Sequence, residues 1–295
     1  MRQDDQWRFF PRLPVLKQRV ITAVMLLAVL IPAVWADDPL AFVLFTTLMM
    51  GAAGWEWARL CALPRWPARA SGVACAMLCL IFWREGGTAQ AWPWLWWAVG
   101  SAWVLLAASL LRGGVDAWLR VPTAIRWGVG MVALFAAWLA LVQARAIGVN
   151  FLFSVLVLVW GADVAAYFCG RMWGGRWIAR KLAVAISPGK TWEGALGGLL
   201  LVMALAFLWR QWEMVSQWGA LSLYGRLGAG GPVFMVVSVA FLTTMSVAGD
   251  LLESLFKRAA GVKDSSQLLP GHGGVLDRID ALLPVLPLAM WLGVR

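Results

Sequence analysis

The sequence predicts an all-α polytopic membrane protein of about nine transmembrane helices, with its N-terminus in the cytoplasm and its C-terminus outside. Three observations carry this. Hydrophobic residues make up 62% of the chain and charged residues 14%, against roughly 25% charged in an ordinary soluble domain. Apolar runs of membrane-spanning length recur from one end to the other. The runs are continuous rather than alternating, which disfavours a membrane barrel.

In chain order, residues 1–19 are basic and aromatic, with Trp7, Arg8, Phe9, Phe10, Arg12, Lys17 and Arg19, and suit a juxtamembrane anchor on an anionic leaflet. The first span is expected near 20–35, closed by Asp37-Asp38-Pro39, and the second near 40–60, with Glu56 close to its end in Trp55-Glu56-Trp57-Ala58-Arg59. A short third span near 70–83 precedes the turn Arg84-Glu85-Gly86-Gly87. The others are expected near 92–111, 127–144, 151–169, 194–209, 232–248 and 281–294. No fixed-period repeat interrupts them, so residues 1–295 read as one membrane domain without a soluble partner domain.

Orientation follows from the basic residues. With nine spans, the loops 1–19, 59–69, 112–126, 170–193 and 249–280 share one side and hold twenty of the 25 lysines and arginines. That excess assigns this side to the cytoplasm. The net charge of +10 is therefore a topology signal, and no nucleic-acid partner is expected. No cleavable signal peptide is expected either, because further spans follow the first. The four cysteines, Cys61, Cys75, Cys79 and Cys169, lack CxxC spacing and read as small buried hydrophobes. The 22 tryptophans cluster near span ends, as at Trp92, Trp94, Trp96, Trp97, Trp209 and Trp212, and read as interfacial anchors.

Three polar constellations stand out of this apolar chain. The richest is 249–280, which holds Asp250, Glu253, Asp264, Asp277 and Asp280 with Lys257, Arg258, Lys263, Arg278 and the only histidine, His272. Carboxylates alone suit a cation, and cations alone suit an anionic lipid surface. Together, beside Gly271, Gly273 and Gly274, they suit a metal-bound polyphosphate. Asp277 and Asp280, three apart, share a face if their segment is helical. The second constellation is Asp163 inside the sixth span, with Gly161, Ala162, Ala165 and Ala166 allowing close helix approach and Tyr167 one turn on. The third is Ser187-Pro188-Gly189-Lys190-Thr191, read as a capped helix start that favours an anion, with Ser187 as the cap. Arg171, Arg176, Arg180 and Lys181 add positive charge upstream.

Ser254-Leu255-Phe256-Lys257-Arg258, Lys263-Asp264 and Leu269-Pro270-Gly271-His272-Gly273-Gly274-Val275-Leu276-Asp277-Arg278-Ile279-Asp280 together resemble the signature of the phosphatidate cytidylyltransferase (CDP-diacylglycerol synthase) family, bacterial type. The Asp163–Arg171 and Ser187–Gly194 segments, Lys17–Ala23 and Trp55–Arg59 are similar to the same family. Between 70 and 150 the match is in hydrophobicity only. The resemblance implies transfer of CMP from CTP to phosphatidic acid, giving CDP-diacylglycerol and pyrophosphate, at a bacterial inner membrane with the active site facing the cytoplasm. It implies Mg²⁺, with a second cation such as K⁺, and a homodimer.

By that resemblance Asp250 and Asp277 are expected as metal ligands, with Asp280 third. Lys257, Arg258, Lys263 and Arg278 are expected to hold phosphates. Ser187, Lys190 and Thr191 would hold the lipid phosphate or the nucleotide, with Asp163 and Tyr167 in the cavity wall. His272 is expected to protonate pyrophosphate, bind a phosphate or order the glycine turn. Glu253 and Asp264 are expected to orient Lys257 or Arg258. The rival readings are another lipid-linked phosphotransferase or a polyprenol-type kinase, and an ion-coupled transporter built on Asp163. The Asp-Gly-x-x-Ala-Arg segment of CDP-alcohol phosphotransferases is absent.

Overall fold

A computed structural model describes residues 15–179, 181–216 and 219–294; the anchor segment 1–14 and the side chains of Lys17, Arg19 and Arg180 lie outside the described residues. Eleven α-helices are described: α1 Val15–Trp35, α2 Leu40–Leu60, α3 Arg65–Arg84, α4 Pro93–Arg120, α5 Thr123–Ile147, α6 Val149–Trp173, α7 Trp192–Ser216, α8 Leu223–Ala229, α9 Pro232–Ala259, α10 Leu276–Ile279 and α11 Leu282–Gly293. An apolar surround leaves a backbone amide no partner but its own helix, so apolar runs become long uninterrupted helices. Prolines punctuate them. Pro93 and Pro232 open α4 and α9, and Pro39, Pro64 and Pro122 precede α2, α3 and α5, positions where the missing N–H costs nothing.

Among the described residues, seven helices are long and apolar enough to cross a membrane: α2 to α7 and α9. Helix α1 adds the shorter apolar stretch Val20–Trp35. The expected ninth span is different in kind. Helix α11 has 12 residues, about 18 Å of rise, too short to cross a core of about 30 Å alone. Asp280 and Ala281 keep right-handed helical backbone, so α10 runs on into it. Helix α11 is also the centre of the bundle. Val285 and Leu288 have no exposed surface, and α4, α5, α9, α6 and α8 pack around it.

Small residues set the closest approaches. A Cβ on Gly198 of α7 would stand 2.9 Å from the Ala162 carbonyl of α6, so the small-residue face expected on α6 is where α7 docks. The tryptophans divide into two sets, which corrects the purely interfacial reading. Trp57, Trp96, Trp103, Trp118 and Trp138 are core residues, and Trp57, Trp118 and Phe256 form a ring cluster with centroids 4.5 to 6.0 Å apart. All four cysteines are free thiols, and Cys61, Cys75 and Cys79 are buried.

Polar ties gather at the two ends of the bundle. At one end Arg145 holds the Ala36 carbonyl after α1, and Asn150 of α6 joins Trp209 and Glu213 of α7. The ends of α2, α6 and α9 and the starts of α7 and α10 meet at the other, and there Lys190, Asp250, Glu253, Lys257 and Asp277 lie.

Candidate active site

Helix α9 supplies the first layer. Asp250, Glu253 and Lys257 follow at helical spacing on one face. Lys257 pairs with Glu253 one turn before it, and its ammonium is 2.6 Å from Asp277 Oδ1. The three side chains are 5% (Glu253), 13% (Lys257) and 5% (Asp277) exposed, so this is a desolvated charge group whose members depend on one another.

The segment after α9 folds back to deliver Asp277. The Leu269 N–H donates to the Gly273 carbonyl and the His272 N–H to the Leu269 carbonyl, both at 2.8 Å, a tight turn in which Gly271 and Gly273 take φ of 75° and 81°. Asp277 Oδ2 then accepts from the Gly274 N–H at 2.8 Å and from both the N–H and the hydroxyl of Ser265 at 2.9 Å. Beneath it lies Glu56 of α2, with no exposed surface. Its carboxylate accepts from the Ser266 hydroxyl at 2.5 Å, the Ser265 hydroxyl at 3.2 Å, and the Val275 and Leu276 N–H groups at 3.0 and 2.8 Å. A Cβ on Gly274 would collide with the Ser265 hydroxyl, so the closeness that glycine allows here serves the protein's own carboxylates.

The opposite wall comes from α6, α7 and the loop between them. Glu193 Oε1 accepts from the N–H groups of Gly175, Trp177 and Ile178 at 3.0 to 3.1 Å, which pins that loop to the start of α7. Thr191, not Ser187, caps α7: its hydroxyl accepts from the Gly194 N–H at 3.1 Å. Ser187 instead sits in a turn, with its N–H on the Ala183 carbonyl at 2.8 Å, four residues too early to cap the helix. Lys190 pairs with Asp250 across to α9, with side chains 23% and 32% exposed. Asp163 of α6 is within electrostatic reach of Asp250, Lys190 and Arg278.

Five helices and two loops thus bring carboxylates and ammonium groups to one end of an apolar bundle. The sequence profile of the cytidylyltransferase family matches residues 17–294. This chain belongs to the cytidylyltransferase family. Several curated proteins named phosphatidate cytidylyltransferase resemble it over most of their length. The one from Pseudomonas aeruginosa is 36% identical over 286 residues, 94% of this chain and 97% of the relative. The one from Haemophilus influenzae is 33% identical, with 92% and 96% covered. The one from Brucella suis is 30% identical, with 91% and 89% covered. The chain is a nucleotidyltransferase and a helical membrane protein.

Two electrostatic environments coexist in this cytidylyltransferase. Burial would push the Asp277 carboxyl up, but the Lys257 ammonium and the Gly274 and Ser265 donors overcome it and hold it below the usual carboxylate range. Asp280 has the reverse balance. Desolvation pushes its carboxyl up, to about 8, and the charges of Asp250 and Asp163 add to the rise, against the Ala281 N–H donor. Among the described residues no group of three or more His, Cys, Asp or Glu side chains is arranged to hold a metal ion. Lys190 stands on Asp250 and Lys257 on Asp277. The chemistry of the acids still fits a hard cation, because Asp163, Asp250 and Asp280 crowd like charge that a bound cation would relieve.

The remaining expected residues lie around this cluster. Arg278 donates Nε to the His272 carbonyl at 3.0 Å, so the histidine's backbone is part of the glycine turn. Arg258, Lys263 and Asp264 are exposed, and Arg258 reaches the Ile186 and Val262 carbonyls at 3.5 and 3.3 Å. Tyr167 is 60% exposed, and its hydroxyl accepts from Arg171 at 3.0 Å. Asp277 and Asp280 engage different groups although they are only three positions apart. Sequence reasoning noted Glu56 and Glu193 within family-like segments but gave neither them nor Ser265 a role. The available signal was an acid at the end of each of two apolar spans, where an unpaired charge is costly. A narrow apolar cavity lined by Trp57, Trp103, Trp118 and Phe256 runs up to Glu253 and Asp280. A larger groove between Trp35, Asn150, Phe153 and Trp209 lies at the opposite end, away from these charges.

Proposed function

We propose that this site transfers the cytidylyl group of CTP to phosphatidic acid, giving CDP-diacylglycerol and pyrophosphate. The observation that carries the reading is the meeting of Asp163, Asp250 and Asp280 with Lys190 and Arg278 at one end of the bundle. The family membership and the names of the relatives support the same chemistry. A phosphate oxygen of the lipid attacks the α-phosphorus of CTP, and the bond from that phosphorus to the bridging oxygen breaks as pyrophosphate leaves. The lipid phosphate is already an anionic nucleophile, so no strong base is needed. The obstacle is repulsion between two polyanions, which cationic side chains offset.

Lys190, Arg278, Arg258 and Lys263 hold phosphate oxygens in this reading, and Thr191 and Ser187 shape the loop that presents Lys190. Tyr167, beside Arg171, faces the lipid. His272 binds through the turn it belongs to. Asp250, Asp277 and Asp280 would hold Mg²⁺, with K⁺ as the companion cation. The metal would neutralise charge on the α-phosphate and the departing pyrophosphate. The protein works as a homodimer in the bacterial inner membrane, with the site on the cytoplasmic face where CTP is available.

The deciding experiment supplies labelled CTP and phosphatidic acid to the purified protein and follows label into chloroform-soluble product. Label there with release of pyrophosphate is the expected result. Label confined to a γ-phosphate transfer product would make the protein a lipid kinase instead, and no label in lipid would remove the reading.

A further inference from the structure

Glu56 belongs to α2, which packs mainly on α3 and reaches the charged end only through its last turns. It is nevertheless the most deeply set acid of the region, with 0% exposure and four donors. Its partners are 209 to 220 residues away in the chain. All four belong to the segment that carries Asp277.

Helix α10 explains why that segment needs an outside acceptor. It has four residues and no side-chain cap of its own, and so short a helix does not hold itself together. Its opening amides must find an acceptor or stay unpaired in a buried place. Glu56 accepts those of Val275 and Leu276. Ser265 then ties the two carboxylates together. Its hydroxyl is 3.2 Å from Glu56 Oε2 and 2.9 Å from Asp277 Oδ2, and one hydroxyl proton serves only one of them at a time. Whatever changes at Glu56 is therefore felt at Asp277.

We infer that Glu56 is a positioning residue of the cytidylyl transfer: it fixes residues 265–276 from below and so sets the Asp277 carboxylate against Lys257. The inference rests on the reading of the site given above. It assigns Glu56 no contact with substrate.

The test uses purified full-length protein in lipid–detergent micelles and the variants Glu56→Gln, Ser266→Ala, Asp277→Asn and the Glu56→Gln/Asp277→Asn double. Glutamine keeps the shape but turns one acceptor into a donor facing a donor. For Glu56→Gln, kcat falls about ten- to hundred-fold, with KM for phosphatidic acid within about two-fold of wild type. The double variant is no worse than Asp277→Asn alone, because both act through one carboxylate. Ser266→Ala, which leaves the acid in place, gives a smaller loss of the same kind and serves if Glu56→Gln does not fold. Independently of turnover, amide exchange in 265–276 speeds up in Glu56→Gln while α6 and α9 keep their protection.

Wild-type kcat in folded Glu56→Gln, multiplicative losses in the double variant, or unchanged exchange in 265–276 would each overturn the inference. Should the wild-type protein fail to make CDP-diacylglycerol, the activity reading falls, while the exchange result still reports whether Glu56 holds the segment.

Discussion

The Lys257 ammonium lies 2.6 Å from Asp277 Oδ1 and pairs at the same time with Glu253, one helical turn before it. One cation thus answers for two acids that are each 5% exposed. The arrangement makes the group intolerant of losing the lysine.

Lys257→Met should therefore cost stability as well as activity. Removing one partner of a buried ion pair costs about 3–5 kcal/mol, read as a clear fall in melting temperature of the purified protein. Adding Glu253→Gln should restore part of the stability and none of the turnover. An unchanged melting temperature in the single variant would show that water reaches the pair.

Lys190 and Asp250 form the open counterpart, with side chains 23% and 32% exposed, so their pairing contributes about 1 kcal/mol or less. Lys190→Ala should leave the melting temperature almost unmoved and raise the apparent KM for one phosphate substrate. Unchanged kinetics for both CTP and phosphatidic acid would take Lys190 out of the site.

Asp280→Asn and Asp250→Asn should insert and purify normally yet lose turnover, because the crowded acids are the groups that would meet a hard cation. Chelation by EDTA should stop wild-type activity, and added Mg²⁺ should restore it. Full activity in EDTA would contradict a divalent-metal mechanism.

Gly274→Ala should inactivate the protein by geometry alone. The added methyl would meet the Ser265 hydroxyl and the Glu56 carboxylate, displacing the donors that hold Asp277. Turnover should drop about a hundred-fold or more, while a methyl on the exposed, open Gly189 should be tolerated. Equal activity of the two alanine variants would mean the turn relaxes freely.

Orientation is testable with single cysteines in a background lacking the four native ones. In right-side-out vesicles an impermeant thiol reagent should label Glu85→Cys and miss Val262→Cys, both exposed positions. Labelling of Val262→Cys alone would invert the topology.

Much of the fold was legible because a bilayer imposes a simple code. Apolar runs must be helices, and Pro39, Pro64, Pro93, Pro122 and Pro232 mark where they start. The small face Ala162–Ala166 announced a close neighbour, which is α7. The tryptophans misled because aromatic residues serve both as interfacial anchors and as core filling, and sequence position does not separate Trp118 from Trp94. Ser187 was read as the cap of α7 because a hydroxyl before proline has that signature. Thr191 won because Ala183–Lys190 closes a turn of its own first.

By itself the sequence determined the membrane class, the long apolar helices and the roster of charged groups in 249–280, because hydropathy and spacing are local properties of the chain. Only the tertiary structure decided how those charges are shared: Lys257 between Glu253 and Asp277, Lys190 on Asp250, and Glu56 under a segment more than two hundred residues away. Charges buried at one end of an apolar bundle must find partners wherever the folded helices bring them, and such pairing leaves no periodic trace in the sequence.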